Sequence, residues 1–390
     1  MKSTHKIGFA RHLKRSVLAG VVLGAIAGTT ATAQELRYAV GLPESSYNYD
    51  NAVFFSEELA RTSDVDVKVY ALSLLGLNEI PGGVRDGLAD FGFSLFPYFP
   101  AEFSELNLPA SLSWLASTGS EAKWPGPAML GASMEYVMLN CPDCLKQLEG
   151  FNTVFLSGGV AVDYGLVCNK PVESIKDITG KKVRTGAADV SRFVEYFGGT
   201  QVSLSGNEIY DALNTGNVDC STVPPETLTG LRLMEVADFY SHLLPGNMFS
   251  GIGIANMNRD TWKGMTEEQR RAVLNAAAKT SASSWVTVKN LNASSLKTFK
   301  DAGKTVFETS AEDRAKIGEF AKQDTTVVRN QFVEQYGVEG VDEKIALITD
   351  LIEKWKGLTN QIDEMDIDAF ANLYIDEVHS KIDVSSYGID

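Results

Sequence analysis

Apolar and polar positions alternate along Leu36-Arg37-Tyr38-Ala39-Val40 and again at Val65, Val67 and Val69. This period of two belongs to strands that turn one face to a core. Between them, Val53, Phe54, Leu59 and Ala60 are spread over 52–61 at helical intervals, so the chain opens strand, helix, strand. Further strands are expected at 90–96, 136–140, 164–169, 181–184, 201–204 and 218–223, with helical stretches between many of them. That alternation predicts parallel-rich α/β sheets.

Thr266-Glu267-Glu268-Gln269 has the form of a capping box, in which Thr266 receives a backbone donor and Gln269 reaches back to the cap. Few breakers follow before Gly303. A helix over this stretch has about 36 residues and runs about 54 Å, longer than a single lobe. Ile345, Ile348, Ile352 and Trp355 form one apolar stripe at helical spacing, a core-packing pattern. The Gly- and Pro-containing stretch 117–133 is expected to be a loop.

The first residues change the picture of where the chain works. Lys2, Lys6, Arg11, Lys14 and Arg15 precede an apolar run from Ser16 to about Gly28 and the small-residue sequence Ala31-Thr32-Ala33, the layout of a secretory signal peptide. Residues 1–33 are therefore expected to be removed, leaving a soluble periplasmic protein that is not itself embedded in the membrane. Loss of those five cations takes the formal net charge from −15 to −20. So acidic a protein repels phosphate backbones and anionic headgroups, which argues against nucleic acid and membrane-surface roles. An anion would need a local positive site. The apolar fraction of 44% supports real cores, and the length exceeds what one core fills.

Cys141, Cys144, Cys168 and Cys220 lie beyond the cleavage point, and an oxidising compartment makes them disulfide candidates with three possible connectivities. Pairing of Cys141 with Cys144 and of Cys168 with Cys220 is preferred. His242 and His379, the histidines left after cleavage, are too few and too far apart in sequence to suggest a metal site or acid–base chemistry. No GxxxxGKS phosphate cradle occurs. No cofactor and no enzymatic activity are expected.

The segment 169–219 carries an ordered series of motifs: Lys170-Pro171, then Asp177 with Gly180, Lys182 and Arg184, then Gly198-Gly199-Thr200-Gln201-Val202, then Glu208, Tyr210, Ala212, Leu213, Gly216, Val218 and Asp219. The series resembles the substrate-binding proteins of tripartite ATP-independent periplasmic (TRAP) transporters. "GLNEIPGGVRDGLADFGF" and "MNRDTWKGMTEEQRRAVLNAAA" extend the likeness over most of the chain. The resemblance implies two α/β lobes joined by crossing strands, with a long helix lying across both. We expect lobe I over 34–160 with about 251–290, lobe II over 161–250 with part of the C-terminal helices, and a C-terminal helical region, 291–390, bracing both. The implied function is capture of a small carboxylate-containing organic acid and its delivery to the TRAP permease subunits.

On this resemblance Arg184 matches the arginine that grips the substrate carboxylate. A guanidinium suits the task because it is always charged and offers two parallel hydrogen bonds. The alternative is a surface salt bridge to Asp177 or Asp189. The chain departs from the family pattern at Asp163-Tyr164-Gly165-Leu166, where many members have a second arginine, and at Cys220-Ser221-Thr222-Val223-Pro224, where many have a Glu-Asn pair. A less polar pocket suits a ligand with one carboxylate and an apolar or aromatic body. Asp163 is a candidate acceptor for a ligand amine or hydroxyl, or else a hinge residue. Tyr164 and Thr222 are further candidates at the same departures. Tyr47, Tyr49, Tyr98 and Trp114 are candidates for aromatic walls. Glu208 and Tyr210 are read as packing or hinge residues.

Two other readings stay open. Cys141-Pro142-Asp143-Cys144 directly follows the strand expected at 136–140 and precedes a helix-like stretch, as the redox motif of a thiol–disulfide oxidoreductase does. A binding protein of an ATP-driven importer would share the two-lobed architecture.

Overall fold

The computed structural model describes residues 35–389 apart from 245 and 247, so the expected signal peptide lies outside the described residues. The strands are β1 (Leu36–Ala39), β2 (Val67–Tyr70), β3 (Phe91–Leu95), β4 (Thr153–Val154), β5 (Ser157–Ala161) and β6 (Gly165–Cys168). They continue as β7 (Lys182–Thr185), β8 (Thr200–Ser203), β9 (Cys220–Val223), β10 (Phe239–Ser241), β11 (Phe249–Asn258) and β12 (Thr305–Phe307). Two sheets result. The first has the order β2-β1-β3-β11-β4, with β5 also paired to β11, and the second has the order β12-β10-β6-β9-β7-β8.

In the first sheet β1 runs parallel to β2 and β3, and β11 runs antiparallel to β3, β4 and β5. In the second, β7 is parallel to β8 and β9, and β6 is antiparallel to β9 and β10. Every residue of β3, β6 and β9 is buried, as expected of strands covered on both faces. The second sheet divides its side chains by parity: Leu166 and Cys168 enter one core with Val183, and Val167 enters another with Val223 and Tyr240. The chain passes between sheets after β5, through 162–164, and again between β10 and β11.

The long helix spans Glu267–Asp301, 35 residues, or about 52 Å. Its capping box is present: Gln269 N–H donates to Thr266 Oγ1 at 3.2 Å and Thr266 N–H to Gln269 Oε1 at 3.0 Å. Small residues such as Ala277, Ala278 and Ala282 are fully buried along it and let it lie close to the first sheet, where Ser281 Oγ donates to Gly158 O at 2.6 Å. Further along, Ser295 Oγ bonds Thr229 Oγ1 at 2.7 Å and Phe299 joins the core of the second sheet. One helix thus touches both sheets.

Ile348, Ile352 and Trp355 are buried on the helix Val341–Thr359, as the stripe predicts, and Ile345 is half-buried. Two expectations are corrected. The stretch 117–133 is not all loop, because a helix runs over Pro125–Glu135. Pro125 and Pro127 sit in its first turn, where no N–H is needed within the helix. Gly131 provides room: a Cβ there would stand 2.1 Å from the Trp355 ring. Residues 136–140 form no strand but one π-helical turn that prolongs this helix, with Asn140 Nδ2 donating to Glu135 O at 3.0 Å. A short apolar run carries no period that separates strand from helix.

Candidate functional site

Both disulfides of the preferred pairing are present, Cys141–Cys144 and Cys168–Cys220. With 136–140 helical, the CxxC motif does not follow a strand, and Cys141 and Cys144 are both buried. A reactive thiol pair needs exposure to a partner, so this motif is a structural staple. Among the described residues no helix is long and apolar enough to cross a membrane.

Arg184 lies on β7 and is only 4% exposed. Its Nε donates to Leu204 O at 2.8 Å and its Nη2 to Tyr98 Oη at 2.8 Å. Among the described residues no carboxylate lies within ion-pair distance of it, which removes the salt bridge to Asp177 or Asp189. Asp177 instead accepts from the Ser174 N–H at 2.8 Å and Asp189 from Ser113 Oγ at 2.9 Å. The contrast with Arg192 is informative, since its guanidinium is held at 2.6 and 2.8 Å by both oxygens of Asp324. A buried cation without such a partner is costly, and Arg184 is met by neutral oxygens only. Gly186 makes room for it, because a Cβ there would come within 2.9 Å of Nη2. Thr222 Oγ1 donates to the Arg184 carbonyl at 3.2 Å, so Thr222 fixes the β7 backbone.

The cavity that Arg184 enters lies between the two sheets and is narrow, with a volume of about 80 Å³. Leu77, Phe93, Tyr98 and Ile252 line it from the first sheet's side, and Tyr164, Ile209 and Val223 from the second's. Phe249 stacks on Tyr164 with ring centroids 6.2 Å apart and meets Tyr98 edge-on at 6.4 Å. These three rings make an aromatic wall. Burial pushes the Tyr164 hydroxyl's pKa up, with Arg184 pulling the other way. Tyr47 also lines the cavity, and its pKa is pushed up by burial and by the Glu226 carboxyl beside it.

Of the residues singled out in the sequence, the structure gathers Arg184, Tyr47, Tyr98 and Tyr164 around this cavity. It does not gather the others. Trp114 stacks on Phe193 at 5.8 Å in the core of the second sheet, Tyr49 packs against the first core, and Thr222 is buried on β9, bonded to the β7 backbone. Asp163 has a left-handed backbone, φ 60°, in the crossing segment. Its carboxylate takes Lys289 Nζ at 2.7 Å and Asn292 Nδ2 at 3.3 Å and borders a separate depression beside His242. Phe249 and Glu226 are among the lining residues that the sequence does not single out. Phe249 opens β11 at a crossing, where a lone aromatic gives no periodic signal. Glu226 follows Pro224-Pro225, and that turn pair was the one available hint.

Residues 38–332 match the family model described as bacterial extracellular solute-binding protein, family 7. The C4-dicarboxylate-binding periplasmic protein of Rhodobacter capsulatus is 28% identical over 343 residues, covering 82% of this chain and 96% of that protein. A solute-binding protein of Albidiferax ferrireducens is 27% identical over 165 residues, 42% of this chain, so the match spans only 46% of that relative. Among solved structures, a TRAP solute-binding protein from Rhodoferax ferrireducens with copurified benzoate superposes with a TM-score of 0.72. It is 18% identical, and the match covers 83% of this chain and 99% of that one. The likeness establishes the shared fold.

Proposed function

We propose, from the premise that this chain belongs to bacterial extracellular solute-binding protein family 7, that it captures a small monocarboxylate between its two sheets and hands it to a TRAP-type permease. It is a receptor without chemistry of its own. The observation that carries the ligand class is Arg184: a buried guanidinium with no acidic partner among the described residues, at the wall of an apolar and aromatic cavity. A carboxylate there receives charge-assisted hydrogen bonds in a weakly screened site. The aromatic wall of Tyr98, Tyr164 and Phe249 offers flat contact area to a ring or short chain. The Rhodobacter relative, named for binding C4-dicarboxylates, and the Rhodoferax structure, which holds benzoate, support a carboxylate. A single arginine at the cavity favours one carboxylate over two.

Capture then proceeds by closure. The lobes are 34–160 with 251–290 and 161–250, the crossings between β5 and β6 and between β10 and β11 act as the hinge, and the C-terminal helices brace both lobes. Ligand binds the open form and the permease reads the closed one. Removal of residues 1–33 and residence in the periplasm complete the reading.

A thermal-shift screen of residues 34–390 tests it, with benzoate, phenylacetate, cyclohexanecarboxylate, malonate and sugar acids set against neutral amides such as benzamide. A ligand at 100 times its dissociation constant adds about 2.7 kcal/mol. Monocarboxylates with apolar bodies are expected to stabilise and the amides are not. Equal stabilisation by acid and amide would sink the assignment.

A further inference from the structure

Glu226 lines the same cavity as Arg184, and the carboxylate reading gives it no task. It follows Pro224-Pro225 after β9, and its N–H donates to Asn292 Oδ1 of the long helix at 3.0 Å, which fixes its backbone. The residue is 6% exposed. Its carboxyl has no hydrogen-bond or ion-pair partner among the described residues. Burial raises its pKa to about 8, with no neighbouring cation to offset the rise. Arg184 therefore does not neutralise it, although both border one space.

We propose that Glu226 is a second polar anchor of the cleft and that the solute carries a protonated nitrogen as well as a carboxylate, lying between Glu226 and Arg184. The inference rests on the carboxylate reading above and narrows it to small amphoteric compounds. Two buried groups of opposite charge type, neither with an oppositely charged partner among the described residues, face one cavity. One dipolar molecule satisfies both, whereas a simple acid leaves Glu226 unpartnered and protonated. A nitrogen seated at Glu226 also comes beside Tyr47, whose hydroxyl feels the Glu226 charge, and an aromatic face favours a cation.

The proton balance is explicit. Below about pH 8 the empty receptor holds a proton on Glu226. On binding a ligand whose nitrogen is already protonated, Glu226 ionises, an ion pair forms, and one proton passes to solvent. Affinity for such a ligand rises with pH up to about 8 and then levels. The other groups facing Glu226 are Tyr47 from the first helix and Tyr164 and Tyr240 from the second sheet, all pushed further up by burial, and Arg184 across the cavity. On the long helix Asn292 faces it, with Lys289 paired to Asp163 at 2.7 Å behind. His242, lowered by burial, stands on the far side of Asp163.

The test compares cyclohexanecarboxylate with piperidine-4-carboxylate and piperidine-2-carboxylate, near-isosteric rings with and without a protonated nitrogen. Calorimetric titrations run on the parent, Glu226→Gln and Arg184→Ala at pH 6 and 8. At least one piperidine acid is expected to bind the parent more tightly than cyclohexanecarboxylate, to lose about 10- to 100-fold in Glu226→Gln, and to release a proton at pH 6. The same variant is expected to abolish the pH slope. Cyclohexanecarboxylate is expected to be indifferent to Glu226→Gln, and all binding to depend on Arg184. If cyclohexanecarboxylate binds through Arg184 while neither piperidine acid is preferred or sensitive to Glu226→Gln, the amphoteric ligand is ruled out and the carboxylate reading survives. If no acid shows Arg184-dependent binding, both fail.

Discussion

Arg184 Nη2 donates to Tyr98 Oη over 2.8 Å, and that bond ties β7 of the second sheet to the turn that follows β3 of the first. It is both a strap across the cleft and a way of aiming the guanidinium. Tyr98→Phe removes the acceptor and keeps the ring. The expected result is about a 3- to 10-fold loss of carboxylate affinity and a larger radius of gyration for the unliganded protein in small-angle scattering, with an unchanged circular dichroism spectrum.

Glu226 makes the stability of the empty protein depend on pH. Unfolded, its carboxyl titrates at the ordinary value of 4.5, and folded at about 8. Because the folded form holds the proton more tightly, its favourable contribution is complete below pH 4.5 and is lost as pH rises to about 8. The slope is at most about 1.4 kcal/mol per pH unit in that window. Glu226→Gln is expected to raise the thermal midpoint by about 2–6 °C at pH 8 and to leave it unchanged at pH 4. Parallel melting curves for the two proteins across pH 4 to 8 would contradict this.

The Cys168–Cys220 disulfide joins paired positions of β6 and β9 and closes a loop that contains Arg184. Cross-linking over a sequence separation of 52 restricts the unfolded chain and contributes about 2–4 kcal/mol. The double variant Cys168→Ala/Cys220→Ala is expected to lose that much in denaturant titrations. Its ligand affinity below the transition should stay within about threefold, because Val183 and Arg184 remain paired to β9 through the backbone.

Much of this architecture is legible in the sequence, for physical reasons that differ by element. The long helix is announced by a local signal, the Thr266 capping box, and by the lack of breakers up to Gly303. Strands β1, β7 and β9 are announced by apolar patterning over a few residues. The helix Pro125–Glu135 is not, because its prolines read as loop residues unless their place in the first turn is known, and Gly131 is explained only by Trp355, more than two hundred positions away. The site divides in the same manner. Arg184 stands out through the motif series around it, whereas Phe249 reaches the cavity at a chain crossing that leaves no local trace and Glu226 from a turn marked only by Pro224-Pro225. Asp163 and Trp114 show the converse: polar and aromatic residues in suggestive places whose partners, Lys289 and Phe193, lie far along the chain.

Gly131 offers a test of the brace formed by the helices Pro125–Glu135 and Val341–Thr359. An added methyl would meet the fully buried Trp355 ring at 2.1 Å, and neither helix can yield without disturbing the core. Gly131→Ala is expected to cost about 1–3 kcal/mol or more in denaturant unfolding. A stability equal to the parent's, as helix propensity alone would allow, would show that the two helices are not in register as described.

The central claim is that a buried guanidinium without an acidic partner waits for the ligand's carboxylate. Calorimetric titration of the most stabilising monocarboxylate into the parent and into Arg184→Met measures it directly, because methionine keeps most of the volume and removes the charge. The account predicts a loss of about 100-fold or more with the fold intact. Affinities within about threefold of each other would place the carboxylate elsewhere and contradict it.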